Sequence, residues 1–379
     1  LQRDFVFSCR RVKWINNTFV ALYLIKKILY GILVAWGVIT VVFLLFHVLP
    51  GDPARMMVGQ RADQATLERI REELGLNRPM YIQYLHYLND LSFLSLYNPA
   101  DQESYFYLDP EEYGNHRVLF RFSQARALVL KAPYLGRSFQ RREKVGTILG
   151  NALPNTFLLA ACSMLFAFVI GTFAGIFAAI RKDGVYDRSV LFISSLGMSL
   201  PSFFAAILIG WLFAYKLHDL TGLNLTGNIM EVDAYGEGLH WQLKNLLLPA
   251  LTLGIRPLSV VVQLSRNSML DVLSQDYIRT ARAKGLPFNK IIFRHGLKNS
   301  MNPLVTAVSG WFASLMAGVI FVEYIFGWKG LGYVIVNALN NYDFPLVLGS
   351  VILISLIFVV INILVDLIYA YLDPRIQYA

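Results

Sequence analysis

The chain has 379 residues, of which 56% are hydrophobic and only 16% charged, with a formal net charge of +9. A soluble domain carries about a quarter charged residues; the deficit here comes with long apolar blocks, which excludes an ordinary soluble fold and points to an all-α, polytopic membrane protein. The positive balance reads as membrane orientation and not as nucleic-acid binding, because cytoplasmic loops collect Lys and Arg.

A basic tail, residues 1–27, ends on Lys26 and Lys27. The apolar run Ile28–Leu49 follows, long enough for a hydrocarbon core of about 30 Å. It lacks a small-residue cleavage site, so it is expected to be a span and not a removable leader. Residues 50–153 form an outer segment. In it, "DQATLERIREELGL" places Leu67, Ile70 and Leu74 on one helical face, with Gly75 as the stop. "YIQYLHYLNDL" is aromatic and amphipathic, suited to lie on the membrane surface or to pack against the outer ends of the spans. Residues 92–131 are rich in Tyr, Phe and charge and show no regular pattern.

Five further apolar runs fill residues 154–372: Pro154–Ile180, Val190–Tyr215, Leu246–Leu264, Pro303–Phe326 and Pro345–Leu372, before a short tail, 373–379. Six spans put both termini on one side. The tails and loops of that side carry seventeen Lys and Arg; the short loops opposite carry three, Lys216, Lys244 and Lys329. Both termini are therefore expected in the cytoplasm. Cys9 lies in the basic tail and Cys162 inside a span, so no disulfide is expected.

The cytoplasmic loop 267–302 is the most informative stretch. With Arg266 just before it, it carries seven Lys and Arg. Leu270, Leu273, Tyr277, Ile278 and Ala281 recur at helical spacing, with Asp271, Gln275, Arg279 and Arg282 on the other side. Gly285 is placed to end this helix, and Pro287 follows two residues later. A second short helix is expected over 288–298, and Asn302-Pro303 should start the fifth span. Tyr277, Ala281 and Gly285 fall on one face at four-residue steps, and the two small residues would let another backbone approach. Two readings stay open on physical grounds: a helix lying on anionic headgroups, or one docking on a partner protein.

Charges within the spans are few. Arg256 falls near the middle of the fourth span, beside Pro257, which is expected to disturb the helix there. It either lines a pathway or pairs with groups of a neighbouring helix. Glu323, near the outer end of the fifth span, either anchors the turn that follows or takes part in gating. Asp366 and Asn362, one turn apart, read as interhelical hydrogen-bonding groups. His47 reads as an interfacial histidine, and Gly171 and Gly175 as a close helix contact. "GWKGLG" has the wrong order for a phosphate-binding loop, and neither a catalytic constellation nor a metal-ligand spacing is present.

"YIRTARAKG" resembles the cytoplasmic signature of permease subunits of bacterial ABC importers, in which a short Ala-rich stretch is followed four residues later by Gly. Thr280 and Ala281 take the small-residue positions and Gly285 the glycine. Arg279 stands where the general pattern often has Glu; the peptide branch commonly has Arg-Thr-Ala. "FHVLPGDPARMMVG", "LGLNRPMYIQYLHYL", "YLGRSF", "LPNTFLLA", "LPSFFAAILIGWLF", "FVEYIFGWKGLG" and "DFPLVLG" are all similar to the dipeptide/oligopeptide permease branch, so the resemblance covers nearly the whole chain. Residues 92–131 stand out as an insertion.

The resemblance implies a coupling helix, Asp276, Tyr277, Arg279, Thr280, Ala281, Ala283 and Gly285, inserted into a groove on a separate ATP-binding subunit. The implied assembly holds this chain, a second homologous permease, two ATP-binding subunits and an extracytoplasmic peptide-binding protein in the bacterial inner membrane. ATP would be bound by the partner subunits, and this chain would need no cofactor and catalyse nothing itself. "GWKGLG" would belong to the outer gate. A related machine for a nickel chelate or a glycoside, and a transporter or channel without an ATPase, are the alternatives; few paired charges in the spans weigh against the last.

Overall fold

The computed structural model describes residues 17–48, 55, 63–73, 75–101, 104–123, 126–232 and 238–372. Residues 1–16, most of "FHVLPGDPARMMVG" and the tail 373–379 lie outside the described residues.

In chain order, α1 (Asn17–Val48) leads to α2 (Gln64–Glu73) and α3 (Met80–Leu91). Then come β1 (Leu94–Tyr97), α4 (Pro110–Tyr113), β2 (His116–Ser123) and β3 (Arg126–Lys131). The long helix α5 (Val145–Ile180) precedes α6 (Val185–Ser199) and α7 (Ser202–Ile209), which runs on in a π-helical stretch over Gly210–Lys216. After α8 (His218–Thr221) and the hairpin β4 (Met230–Val232) and β5 (Leu239–Trp241) comes α9 (Lys244–Leu273). The chain ends through α10 (Asp276–Ala283), α11 (Phe288–Lys290) with a π-helical Ile291–Gly296, α12 (Leu297–Gly318), α13 (Ile320–Ile325), α14 (Leu331–Asn340) and α15 (Phe344–Leu372).

By length and composition α1, α5, α9 and α15 can each cross a membrane. The expected third span, Val190–Tyr215, is not one straight helix: α6 and the α7 stretch meet at 112°. Pro201 is the cause, since it lacks an N–H and drives Leu200 into extended backbone (ψ 128°). The expected fifth span, Pro303–Phe326, is also divided: α12 begins before Pro303, keeps that proline inside, and stops at Val319. α5 starts at Val145, not at Pro154, because Val145, Ile148, Leu149 and Ala152 already form a buried helical stripe. α9 likewise runs through Pro249 and Pro257 without a break, contrary to the disturbance expected at Pro257.

The chain divides into two compact units, one of residues 1–37, 157–326 and 354–379, the other of residues 38–156 and 327–353. In the first, glycines bring helices together. A Cβ at Gly175 would come 2.4 Å from the Val262 carbonyl oxygen of α9, and one at Gly171 would lie 3.0 Å from Val261. The Gly171–Gly175 pair is thus a close helix contact, as its spacing suggests. Lys27 on α1 pairs with Asp366 on α15 at 2.6 Å. Asn362 does not join it; its amide bonds back to Phe358 of its own helix.

The second unit corrects the all-α expectation. The insertion 92–131 folds into an antiparallel sheet of order β1-β3-β2. One face packs Tyr97, Ala127 and Val129 on Leu108 and Tyr113, and the other exposes Leu94, Leu96, Phe120 and Leu130. The aromatic segment α3 packs against the first span: the hydroxyls of Thr40 and Tyr84 are 2.7 Å apart, and the rings of Phe43 and Tyr84 lie 5.1 Å apart. Two further contacts join sequence motifs far apart in the chain. Asp343 of "DFPLVLG" accepts bonds from Ser138 Oγ and, at 3.0 Å, from the Phe139 N–H of "YLGRSF". In "GWKGLG", buried Trp328 donates Nε1–H to the Asn155 carbonyl (2.9 Å), Asn155 donates to the Lys329 carbonyl (2.8 Å), and Thr156 Oγ1 accepts the Leu331 N–H.

Candidate coupling helix and its seat

α10 has eight residues and begins after an abrupt turn at Ser274-Gln275. Asp276 in its first turn and Arg282 in its last complement the helix dipole. The helix stops where Gly285 enters the left-handed region at φ +73°, with its N–H on the Arg282 carbonyl and the Leu286 N–H reaching Ala281. A Cβ at Gly285 would meet nothing within 4 Å, so backbone conformation, not crowding within this chain, requires the glycine.

Ile278 (0% exposed) and Ala281 (7%) face inward, packed on Ile291 with Val272, Leu273 and Leu286 around them. This revises the expected docking face. Ala281 belongs to the seat, because it lies one turn after Ile278 on the face of α10 that packs on Ile291. Asp276, Tyr277, Arg279, Thr280, Ala283 and Gly285 are exposed. The Tyr277 hydroxyl accepts a 2.9 Å bond from Asn299 Nδ2 on α12. The Arg279–Asp276 pair (3.4 Å) is open to solvent and contributes little to stability.

A second apolar cluster lies behind the first: Ile176 and Ala179 of α5, Met269 of α9 and Ile292. Gly296 makes room for it, since a Cβ there would lie 3.1 Å from the Met269 sulfur. Beside this cluster is a buried ion pair that the sequence reading did not find. Arg266 of α9 grips Asp187 of α6 with two bonds, Nε–H to Oδ1 at 2.6 Å and Nη2–H to Oδ2 at 2.7 Å. Asp187 also accepts the N–H of Asp183 (2.9 Å), which stands at φ +63° in the α5–α6 turn. Ser265 Oγ donates to the Thr172 carbonyl of α5 (3.0 Å). The only sequence hint was one acid and one arginine at the ends of two apolar runs.

The two other candidates separate. Arg256 is exposed on α9 and makes no hydrogen bond or ion pair among the described residues, so the helix-partner role has no partner there. Glu323 is 0% exposed within α13; a carboxylate so enclosed fits an anchor better than a surface touching solute.

The family model described as "Binding-protein-dependent transport system inner membrane component" matches residues 171–378, and its N-terminal companion matches residues 20–102. The "Dipeptide transport system permease protein DppB" of Alkalihalophilus pseudofirmus is 32% identical over 94% of this chain and 99% of its own length. The "Glutathione transport system permease protein GsiC" of Escherichia coli (strain K12) is 33% identical over the same shares. A solved structure of the MetNI methionine ABC transporter, in inward facing conformations, is similar with a TM-score of 0.48 and 16% identity, over 60% of this chain and 97% of that one.

Proposed function

Because this chain belongs to the family of binding-protein-dependent transport system inner membrane components, we propose that it is one permease subunit of an ATP-driven importer of di- or oligopeptides. It works with a second homologous permease, two ATP-binding subunits and an extracytoplasmic peptide-binding protein. Six spans, with both termini in the cytoplasm, put α10 on the side where ATP is available. The chain itself hydrolyses nothing; α10 receives the motion of a separate ATPase.

The observation that carries this reading is the build of α10: short, seated on apolar packing from α9, Leu286 and the π-helical stretch at Ile291, and exposing Asp276, Tyr277, Arg279, Thr280 and Ala283. Exposed Arg and Lys around it suit an acidic groove rim. A peptide solute is supported by the DppB relative, and the GsiC relatives make glutathione, itself a small peptide, the second candidate. Arg256 is the residue of this chain best suited to meet a solute carboxylate, since an arginine at mid-span requires a partner and has none among the described residues.

The test is uptake and ATP hydrolysis by the reconstituted complex. Ala283→Trp adds bulk on the exposed face without backbone strain and is expected to abolish copurification of the ATP-binding subunit or to uncouple hydrolysis from uptake, with membrane insertion normal. If association and uptake both survive, docking through this face is wrong. Peptides and glutathione, each delivered by the cognate binding protein, identify the solute by which of them stimulates hydrolysis. A neutral substitution at Arg256 that leaves uptake unchanged removes it from the pathway.

A further inference from the structure

We infer that the Asp187–Arg266 ion pair is the positioning element that turns movement of α10 into movement of the bent pair α6–α7. The inference rests on the coupling role proposed above and goes beyond it by naming how the stroke leaves the docking helix.

Three observations converge. The first is geometric: two parallel N–H···O bonds, at 2.6 and 2.7 Å, join α9 to the first turn of α6. A bidentate guanidinium–carboxylate contact fixes the angle between two elements as well as their distance, which an apolar contact does not. The second is where the pair sits. Seven residues after Arg266, α9 ends at Leu273, and α10 begins three residues later. On the acidic side, Asp187 holds the N–H of Asp183 and so also fixes the turn from α5. α5 itself is locked onto α9 through Gly175 and through the Ser265 hydroxyl on the Thr172 carbonyl. The end of α9, the α5–α6 turn and the start of α6 therefore move as one piece.

The third is the burial of the pair. The Asp187 side chain is 2% exposed and that of Arg266 15%. Burying opposite charges is a poor way to gain stability, and a well-packed apolar pair often serves as well or better. A pair retained under that penalty has its use in direction. α6 is a lever with a bend: it meets the α7 stretch at 112°, so rotation at its first turn displaces α7 sideways. The apolar cluster of Ile176, Ala179, Met269 and Ile292 packs α5 and α9 on the π-helical stretch Ile291–Gly296 and contains no residue of α6; the ion pair is what fixes the angle of α6 on α9.

The experiment measures ATP hydrolysed per peptide imported, in proteoliposomes holding the complete complex and its binding protein. The double variant Asp187→Leu with Arg266→Met replaces the pair with an apolar contact and is expected to keep folding and assembly. It is expected to hydrolyse ATP at a near-normal rate but to import several-fold less peptide per ATP. Asp187→Asn alone should uncouple in the same sense, and exchanging the charges (Asp187→Arg with Arg266→Asp) should restore part of the ratio. An unchanged ratio in the assembled apolar double variant overturns the inference, since a purely structural role is then sufficient. Loss of assembly in the double variant overturns it as well, because the pair is then needed for the fold. The wild-type control separates the two readings. If wild type binds no ATP-binding subunit, the coupling role itself fails; if wild type couples and the double variant couples equally, only the positioning role fails.

Discussion

The seat of α10 and the core of the β1–β3 segment are held by opposite means. Around α10 the buried contacts are apolar: Ile278 and Ala281 on Ile291, and behind them Ile176, Ala179 and Met269 on Ile292, with the Asp187–Arg266 ion pair beside them. In the β1–β3 segment a single carboxylate organises the core. Asp90 accepts the hydroxyls of Tyr97 (2.6 Å) and Tyr113 (2.9 Å) and faces His86 Nδ1 at 3.2 Å. Lys131, 3% exposed, donates to the Asp90 carbonyl at 2.6 Å and stands 4.8 Å from the centre of the Tyr113 ring. Apolar packing has no preferred angle and permits sliding, whereas a hydrogen-bonded hub holds one geometry or none. The first would suit a part that moves under load, as proposed for α10; the second would suit a fixed platform.

Substitutions can break that comparison on either side. The largest effect is expected at Ile278→Asp, which puts a carboxylate into the apolar seat at a cost of roughly 4 kcal/mol or more. α10 should unseat, seen as rapid tryptic cleavage at Arg279, Arg282 and Lys284, while β1–β3 keep their hydrogen-exchange protection. Asp90→Ala should do the reverse. It leaves two buried hydroxyls unpaired at about 1–3 kcal/mol each, so protection of β1–β3 should fall while α10 stays protected. Equal loss in both regions for either variant would mean that the two are not held independently. Gly285→Ala comes next, at about 1–2 kcal/mol for a Cβ in the left-handed region, read as fraying of the last turn of α10 with copurification of the ATP-binding subunit reduced but present.

The smallest effect is a pH dependence confined to the β1–β3 segment. Burial pushes Lys131 down to about 8 from an ordinary 10.5, so the folded state gives up this proton before the unfolded chain does. Between about pH 8 and 10 the unfolded state holds more protons, and stability of β1–β3 should rise with pH. Above about 10 the trend reverses, because burial holds the Tyr97 and Tyr113 hydroxyls protonated in the fold. Hydrogen exchange corrected for intrinsic base catalysis reads both limbs, and Lys131→Met should abolish the rising one while leaving α10 unaffected.

The same contrast explains what the amino-acid order makes legible. Gly285 and Pro287 mark the end of α10 because a left-handed residue and a missing N–H are local demands. The burial of Ala281 is not legible from the four-residue steps that join it to Tyr277 and Gly285, because Ile278, three residues before it, carries it to the inward face. The bend at Pro201 was written in the chain but hidden by uninterrupted hydrophobicity on both sides. The sheet is hard to read in the sequence because β2 is exposed along nearly all its length, so its residues show no alternation; β1 and β3 keep the period of two, with Ser95 and Tyr97 and with Ala127, Val129 and Lys131 inward, but β1 is only four residues long. Asp187 and Arg266 are 79 residues apart, beyond any local pattern. The quoted motifs around Ser138, Asn155, Trp328 and Asp343 are legible as a resemblance, and their bonds to one another give that resemblance a physical content.

The most direct test of the docking account is thiol protection on α10 in a chain whose native Cys9 and Cys162 are replaced by Ser. A cysteine at Ala283 should react with a maleimide in the isolated permease and be shielded once the ATP-binding subunit is bound, while a cysteine at Ala281 stays unreactive in both states. Equal labelling of position 283 with and without the ATP-binding subunit, in a complex that still hydrolyses ATP and imports peptide, would contradict it.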